Sequence, residues 1–367
     1  MSIPWQIASA IRGVLDFPKR SRLRTKRGSI ALASSAEPVL SFGGVLERRE
    51  FIHGGAVKLL HLRDAFPSSA EVFNILYLVS SAQPPFARDL WEICRRRGIK
   101  FVWNQNGVAY RGWAGAEAER FNGPMRWLRD RADYVVYQSD FCRMASDEFL
   151  GPADRPASIL FNPVDLERFS PPPEPVPATP LRLLSLGTHS YPDRVLSAVQ
   201  CLSVLRKDGI EATLTIAGKM EWPGATDQVR SEIQTLGLEN EIRLLPAFTQ
   251  EEAVALYRSH HIVLHPKYLD PCPTVVIESL ACGLPVVGSA SGGLPEMVPS
   301  DCGALIPVPL VWDRMITPPA SEWAAAVKKV IPHLVEFSRN ARQHAVQHFR
   351  AETWIAEHRR IFEKLLA

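Results

Sequence analysis

Six prolines crowd residues 171–180, in "SPPPEPVPATP", and they constrain the fold more than any other feature of the chain. Proline fixes φ and lacks an N–H, so this stretch can neither continue a helix nor enter a central strand. It reads as a stiff linker, and it divides 367 residues into two parts of ordinary domain size. The same pattern occupies both sides. Before the linker, PVLSF, NILYLVS, KFVWN, DYVVYQS and SILF are short apolar runs bounded by turn residues, with helical patterning over 54–66, 84–97, 118–130 and 140–149. After it come LRLLSLG, ATLTIAG, IRLLP, IVLHP, LPVVGS and GALIP, with a helix at 192–208 whose apolar face is Val195, Ala198, Val199, Leu202 and Leu205.

Alternation of this kind builds parallel sheets covered by helices on both faces. The expected fold class is α/β, with two doubly wound Rossmann-like domains facing each other across a cleft. The divisions are a basic extension at 1–36, a first domain at 37–170, the linker at 171–180, a second domain at 181–350 and a helix at 351–367. That last helix gives no sign of which domain it packs on. Open α/β sheets bind ligands beyond the carboxyl ends of their strands, so the cleft is the expected site.

Composition excludes several classes. No apolar run is long enough to span a bilayer, and Arg12 and Asp16 interrupt the first segment, so it does not read as a signal peptide. The six cysteines lie far apart without C-x-x-C pairs, which suits free thiols in a reducing cytoplasm. No D-x-D pair or His/carboxylate cluster suggests a metal ion, and none is expected.

Neither a G-x-G-x-x-G fingerprint nor a P-loop is present. Gly54 and Gly55 open a helix, where they serve either as a tight turn or as a place for the backbone to approach an anion. The stretch "DPCPTVVIESLACGLPVVGSASGGLPE", residues 270–296, is richer. Thr274 starts a short apolar helix closed by Gly283, and Pro271 and Pro273 leave Cys272, Thr274 and Val275 as the N–H donors at its start. A helix start aimed at the cleft suits a diphosphate. Glu278, set among apolar neighbours, needs a ligand hydroxyl, a backbone group or an Arg as partner.

"KYLDPCPTVVIESLACGLPVVGSASGGLPEMV" closely resembles the signature of the family-four, or group 1, retaining glycosyltransferases. That signature is an acidic residue, seven others and a Glu, then A-C-G-x-P-V-V and G-G-x-P-E. "FNPVDLERF" at 161–169 and "ADYVVYQSDF" match other family segments in order. The resemblance implies a GT-B fold that uses no cofactor and binds a nucleoside-diphosphate sugar as donor substrate. By position, Glu278 would hold the ribose, Asp270 the donor sugar, and the backbone of Cys272, Thr274, Val275, Gly292, Gly293 and Leu294 the diphosphate or sugar. Gly54 and Gly55 match a first-domain loop that closes on donor or acceptor. It further implies transfer with retention, in which the departing diphosphate helps to deprotonate the acceptor.

The chain also departs from the family. An Arg and a Lys usually follow the first strand of the second domain, but "LGTHSYPDRVLSAV" has Thr188 or His189 at the Arg position, and Arg194 alone can fill the Lys role. Either Lys267 or His189 is the candidate substitute for the missing cation, and His189 is also a candidate ligand of the donor. The first acid is Asp rather than Glu. Where the family often has a His, "WNQNG" offers Asn104 and Asn106, which can bond sugar hydroxyls but cannot act as bases. Two other readings stand beside transfer to a glycan or lipid-linked acceptor: a nucleotide-sugar 2-epimerase of the same fold, and a nucleotide-sugar-binding protein without turnover.

Residues 1–36 hold seven Lys/Arg against one Asp, behind an apolar helical pattern at Ile3, Ile7, Ile11, Val14 and Leu15. Residues 1–27 therefore have the composition of an anchor on an anionic membrane surface, or of a simple extension. The expected location is cytoplasmic, with that segment peripheral on the inner face of the membrane. No nucleic-acid reader accompanies the charge.

Overall fold

The computed structural model describes residues 29–44 and 54–367. In the second domain the parallel sheet runs, edge to edge, Ile242–Leu245, Ala212–Ala217, Leu181–Leu186, Ile262–His265, Val286–Ala290 and Gly303–Pro307. The chain steps one way through its first three strands, then returns to the other side of Leu181–Leu186. Right-handed crossovers put helices on opposite faces when the direction of stepping reverses. Pro192–Lys207 and Ala225–Thr235 accordingly pack on one face, joined by Ala320–Val330. Gln250–Arg258 and Thr274–Ala281 pack on the other with Leu334–His348.

The first sheet has Leu40–Ser41, Ile75–Val79, Lys100–Gln105, Tyr134–Tyr137 and Ala157–Ile159 in parallel order. That order alone would describe winding in one direction. The reversal lies at Ser68, which forms a parallel bridge on the outer side of Leu40. Leu40 N–H donates to Pro67 O at 2.8 Å and Ser69 N–H to Leu40 O at 2.9 Å. The chain thus steps outward through the helix Gly54–Ala65, makes one bridge of an outer strand, and turns back. Leu59 and Leu62 of that helix consequently pack on one face, while Leu90, Ile93, Leu128 and Cys142 of the later helices pack on the other.

The helix Ala351–Leu366 belongs with the first domain. The crossing is fixed where Val164 N–H donates to Phe349 O at 2.8 Å and Ala351 N–H to Val164 O at 3.1 Å. Trp354, Ile361 and Phe362 then cover the sheet face that Gly54–Ala65 leaves bare. The Phe362 ring meets Phe66 at 5.2 Å and Tyr77 at 6.1 Å, both edge to face. Residues 171–180 form neither helix nor strand, as their prolines require. All six cysteines are free and buried. Among the described residues no helix is long and apolar enough to cross a membrane. The basic segment 1–27 lies outside the described residues.

Removing the Phe362 ring leaves a cavity between helix and sheet. Phe362→Ala is expected to cost about 3–5 kcal/mol in urea unfolding. A loss under about 1 kcal/mol would show that the last helix is dispensable to the first domain's core.

Candidate functional site

At the reversal point of the second sheet, beyond Leu186 and His265, the two domains enclose a cavity of about 660 Å³. One wall is the segment from Lys267 to Val275, whose shape depends on several close approaches. Leu269 has φ of 53°, a left-handed conformation that costs energy for a branched side chain. Its N–H donates to Ser291 Oγ at 3.1 Å. Gly292 and Gly293 lie against the Asp270 and Pro271 backbone so closely that a Cβ on either would collide with it. Gly293 N–H donates to Asp270 O at 2.9 Å.

The first domain holds the same segment from the other side. Ser139 Oγ donates to Pro271 O at 2.7 Å, and Asn162 Nδ2 to Cys272 O at 2.8 Å. Gln138 Nε2 donates to Asn162 Oδ1 at 2.8 Å, which fixes the amide's orientation. Glu296 completes this contact across the domain boundary. Its carboxylate accepts from Asp140 N–H at 2.7 Å and Phe141 N–H at 2.8 Å, capping the helix Asp140–Leu150.

Asp270 and Glu278 lie in contrasting electrostatic surroundings. Burial is the largest single influence and would raise the Asp270 pKa, but the Lys267 ammonium at 2.8 Å and the His265 ring together outweigh it and hold the carboxyl well below the usual range. His265 Nε2 approaches the same oxygen at 3.4 Å. Burial lowers the His265 pKa to about 4 against the pull of Asp270, so the ring is neutral and Lys267 supplies the charge. Glu278 has no such cation at contact distance. Burial pushes its pKa up to about 7, against the Tyr257 hydroxyl donating to Oε2 at 2.9 Å and the more distant Arg168 charge. Arg194 donates to Thr188 O at 2.5 Å and Leu186 O at 3.2 Å. Burial lowers its pKa to about 10, with Asp270 opposing, so it remains a cation at neutral pH.

The cavity brings together Asp270, Lys267, Arg194, Glu278, Cys272, Thr274, Val275 and Asn106. The first-turn N–H groups of Thr274 and Val275, which a helix cannot pair internally, are the donors it offers. Gly54 and Gly55 open their helix as the sequence suggests, and Val57 of the same turn reaches the wall. Five expected ligands lie elsewhere. His189 is fully buried, with Nε2 against Ala217 O at 3.2 Å, because the chain there pairs with Met220 and turns the ring inward. Asn104 is consumed inside the first domain, donating to Tyr77 Oη at 2.9 Å and accepting from Lys58 Nζ at 2.6 Å. Gly292 and Gly293 brace the Asp270 backbone, and Leu294 is core.

Sequence reasoning passed over Lys58, which is buried and donates to both Asn104 and Asn106, the latter at 2.5 Å. Burial lowers its pKa to about 7, with Cys272 and Cys142 opposing. The signal was a lone cation in the otherwise apolar turn "GGAVKLLHL". Gln138 and Asn162, which orient the donor loop, lie in the segments ADYVVYQSDF and FNPVDLERF that match the family, but nothing in those segments singled out either side chain.

Lys267→Met strips Asp270 of its counter-charge. The expected loss is about 1–2 kcal/mol at pH 7, below the 3–5 of a fully buried pair because Lys267 is 44% exposed. Since the folded carboxyl has the depressed pKa, this contribution is full above the ordinary value of 3.8 and fades as pH falls below it. Urea unfolding of both proteins at pH 7 and about pH 3 measures this. A difference that does not shrink at the lower pH would contradict the pairing.

Residues 168–316 match the family model described as glycosyl transferases group 1. The chain is 28% identical over 151 residues to the putative colanic acid biosynthesis glycosyltransferase WcaL of Escherichia coli K12, covering 39% of this chain and 36% of that protein. It is 32% identical over 200 residues to the D-inositol 3-phosphate glycosyltransferase of Saccharomonospora viridis, covering 50% and 44%. The matches thus span less than half of these relatives' length. Among solved structures, Anabaena HepE in complex with UDP-glucose superimposes with a TM-score of 0.68 at 14% identity, covering 89% of this chain and 99% of that one. Sucrose-phosphate synthase from Thermosynechococcus elongatus gives 0.66 at 16% identity, covering 85% and 77%. The chain therefore has the GT-B fold, and its segment 168–316 carries the pattern of the glycosyl transferases of group 1.

Proposed function

We propose that the protein is a retaining glycosyltransferase that moves a sugar from a nucleoside-diphosphate sugar to the hydroxyl of a glycan or lipid-linked acceptor. The observation that carries this reading is the single cavity wall on which Glu278, the start of the helix Thr274–Ala281 and Asp270 follow one another, with Arg194 and Lys267 beside them. In that order they suit ribose, diphosphate and sugar. A ribose diol donates to the Glu278 carboxylate. The diphosphate accepts from the Thr274 and Val275 N–H groups and meets the two cations. Asp270, kept ionised by Lys267, accepts from a sugar hydroxyl and favours positive charge developing at the anomeric carbon.

In the transfer step the bond from the anomeric carbon to the diphosphate oxygen breaks, and the acceptor oxygen bonds to the same face of that carbon. The acceptor's proton passes to the departing diphosphate, so no nucleophile of the protein is needed. Arg194 and Lys267 stabilise the growing negative charge in place of the Arg that the family carries at 188 or 189, and no metal ion takes part. Polysaccharide or glycolipid assembly is the setting that fits such a reaction.

Incubation with a panel of nucleotide sugars tests the reading. Transfer or slow hydrolysis to free nucleotide and sugar is expected, with kcat falling at least about 100-fold in Asp270→Asn. An epimerised donor would establish the 2-epimerase instead, and binding without any turnover a binding protein. The α or β configuration of the product, read by NMR, decides retention.

The pH dependence of donor binding follows from Glu278. Its folded pKa lies near 7 against an ordinary 4.5, so ionising it costs the free protein stability as pH rises between those values. A ribose diol prefers the ionised form. Affinity for UDP-glucose, whose diphosphate does not titrate here, is expected to rise about tenfold from pH 6 to pH 8 in calorimetry. The slope should vanish in Glu278→Gln; persistence there would remove Glu278 from the donor site.

A further inference from the structure

A second cavity, of about 890 Å³, opens beside the first and shares Thr188, Arg194, Lys267 and Pro271 with it. Its character is different. Val108, Tyr110, Trp113, Phe121, Met125 and Met315 dominate the wall, and no Asp or Glu occurs among the described residues that line it. Of its polar groups, Ser80 Oγ accepts from Asn106 N–H at 2.9 Å and Ser81 Oγ from Asn106 Nδ2. Tyr191 Oη donates to Trp113 O at 3.0 Å, Tyr268 Oη donates to Pro309 O at 2.6 Å and Arg120 pairs with Glu117, so each already has a partner within the protein. Gln83 and Ser190 are further polar side chains beyond the Lys267–Arg194 junction and Thr188. Trp113 leaves 43% of its surface open to solvent, with the Phe121 ring 5.5 Å away. A polyhydroxylated occupant would lose water here and regain few hydrogen bonds, whereas a hydrocarbon gains from burial.

We propose that this cavity receives the acceptor as an amphiphile, with its hydroxyl-bearing head at the Lys267–Arg194 junction and a hydrocarbon chain along Trp113, Phe121 and Met125. The proposal rests on the transferase reading for the word acceptor, but the binding itself does not. A chain suits the space better than a single ring. A dry cavity of about 150 Å³ already holds benzene, and this one is several times larger. Met125 and Met315, unbranched and polarizable, adapt to an irregular chain.

Titration of the full chain with n-octyl, phenyl and methyl β-D-glucoside, below the micelle concentration of the first, tests this. The octyl glucoside is expected to bind at least about tenfold more tightly than either of the others. Trp113→Glu should reduce that preference at least about fivefold, Phe121→Ala should weaken it, and Trp113→Phe should keep it. The idea fails if the three glucosides bind alike, if none binds, if phenyl equals octyl, or if the preference survives both Trp113→Glu and Phe121→Ala unchanged. Circular dichroism of each variant establishes that it is folded. Titration with UDP-glucose separates the two readings. UDP-glucose binding without an octyl preference overturns this inference alone, and an octyl preference with no binding or turnover of any nucleotide sugar in the panel overturns the transferase reading alone.

Discussion

The carbonyls of Pro271 and Cys272 are the point on which the site depends. Two prolines flank Cys272 and remove N–H donors from the loop, so its buried carbonyls cannot be satisfied by local backbone. The second domain answers with glycines that let Gly293 N–H reach Asp270 O, and the first domain answers with Ser139 and Asn162. A buried carbonyl left unpaired costs about 1–3 kcal/mol, which exceeds the 0.5–1.5 that a typical hydrogen bond contributes. The wall that carries Asp270 therefore reaches its full shape only when the domains meet. Glu296 strengthens that dependence, since its two bonds join the short helix Leu294–Met297 after Gly293 to the first turn of Asp140–Leu150.

The two acids on that wall are tuned oppositely by what faces them. Asp270 has a cation at contact distance and is a permanent anion. Glu278 has a phenol instead and stands near half-ionisation at neutral pH. A ligand that donates hydrogen bonds to Glu278 completes its charge state, so this end of the cavity responds to occupancy while the Asp270 end does not. The difference comes from the partners each acid meets, Lys267 and His265 at Asp270 against Tyr257 at Glu278.

Much of this was legible in the sequence, and what was not has identifiable causes. The alternation of apolar runs located both sheets and most of the first domain's helices, because buried parallel strands and amphipathic helices leave strong periodic marks. In the second domain Ala225–Thr235, Gln250–Arg258, Ala320–Val330 and Leu334–His348 were not picked out. The winding of the first sheet left no mark at Ser68, where a single bridge replaces an apolar run. The last helix showed its apolar face but not its partner, since which sheet face stays bare is a property of the assembled domain. His189 and Asn104 sit at strand ends, where one peptide's rotation decides between cleft and core, and no periodicity reports it. Asp270 and Glu278 reach the cavity wall because short segments fix their spacing. Gln138 and Asn162 act from afar in sequence, and such contacts leave no pattern.

Beside the Glu296 contact the domains are also joined by aromatic rings. Trp312, on the second domain's loop after Gly303–Pro307, meets Tyr110 at 5.3 Å, Phe141 at 5.8 Å and Phe149 at 5.0 Å, and its carbonyl accepts from Gly112 N–H at 2.7 Å. A cluster of rings is held largely by non-directional burial and tolerates small rotations, whereas the bonds around Pro271 and Glu296 lose their energy within a few tenths of an ångström and tens of degrees. The two kinds of contact meet at Phe141, whose ring stacks on Trp312 while its N–H donates to Glu296 at 2.8 Å, so the non-directional and the directional parts of the domain contact form one seam beside the donor loop.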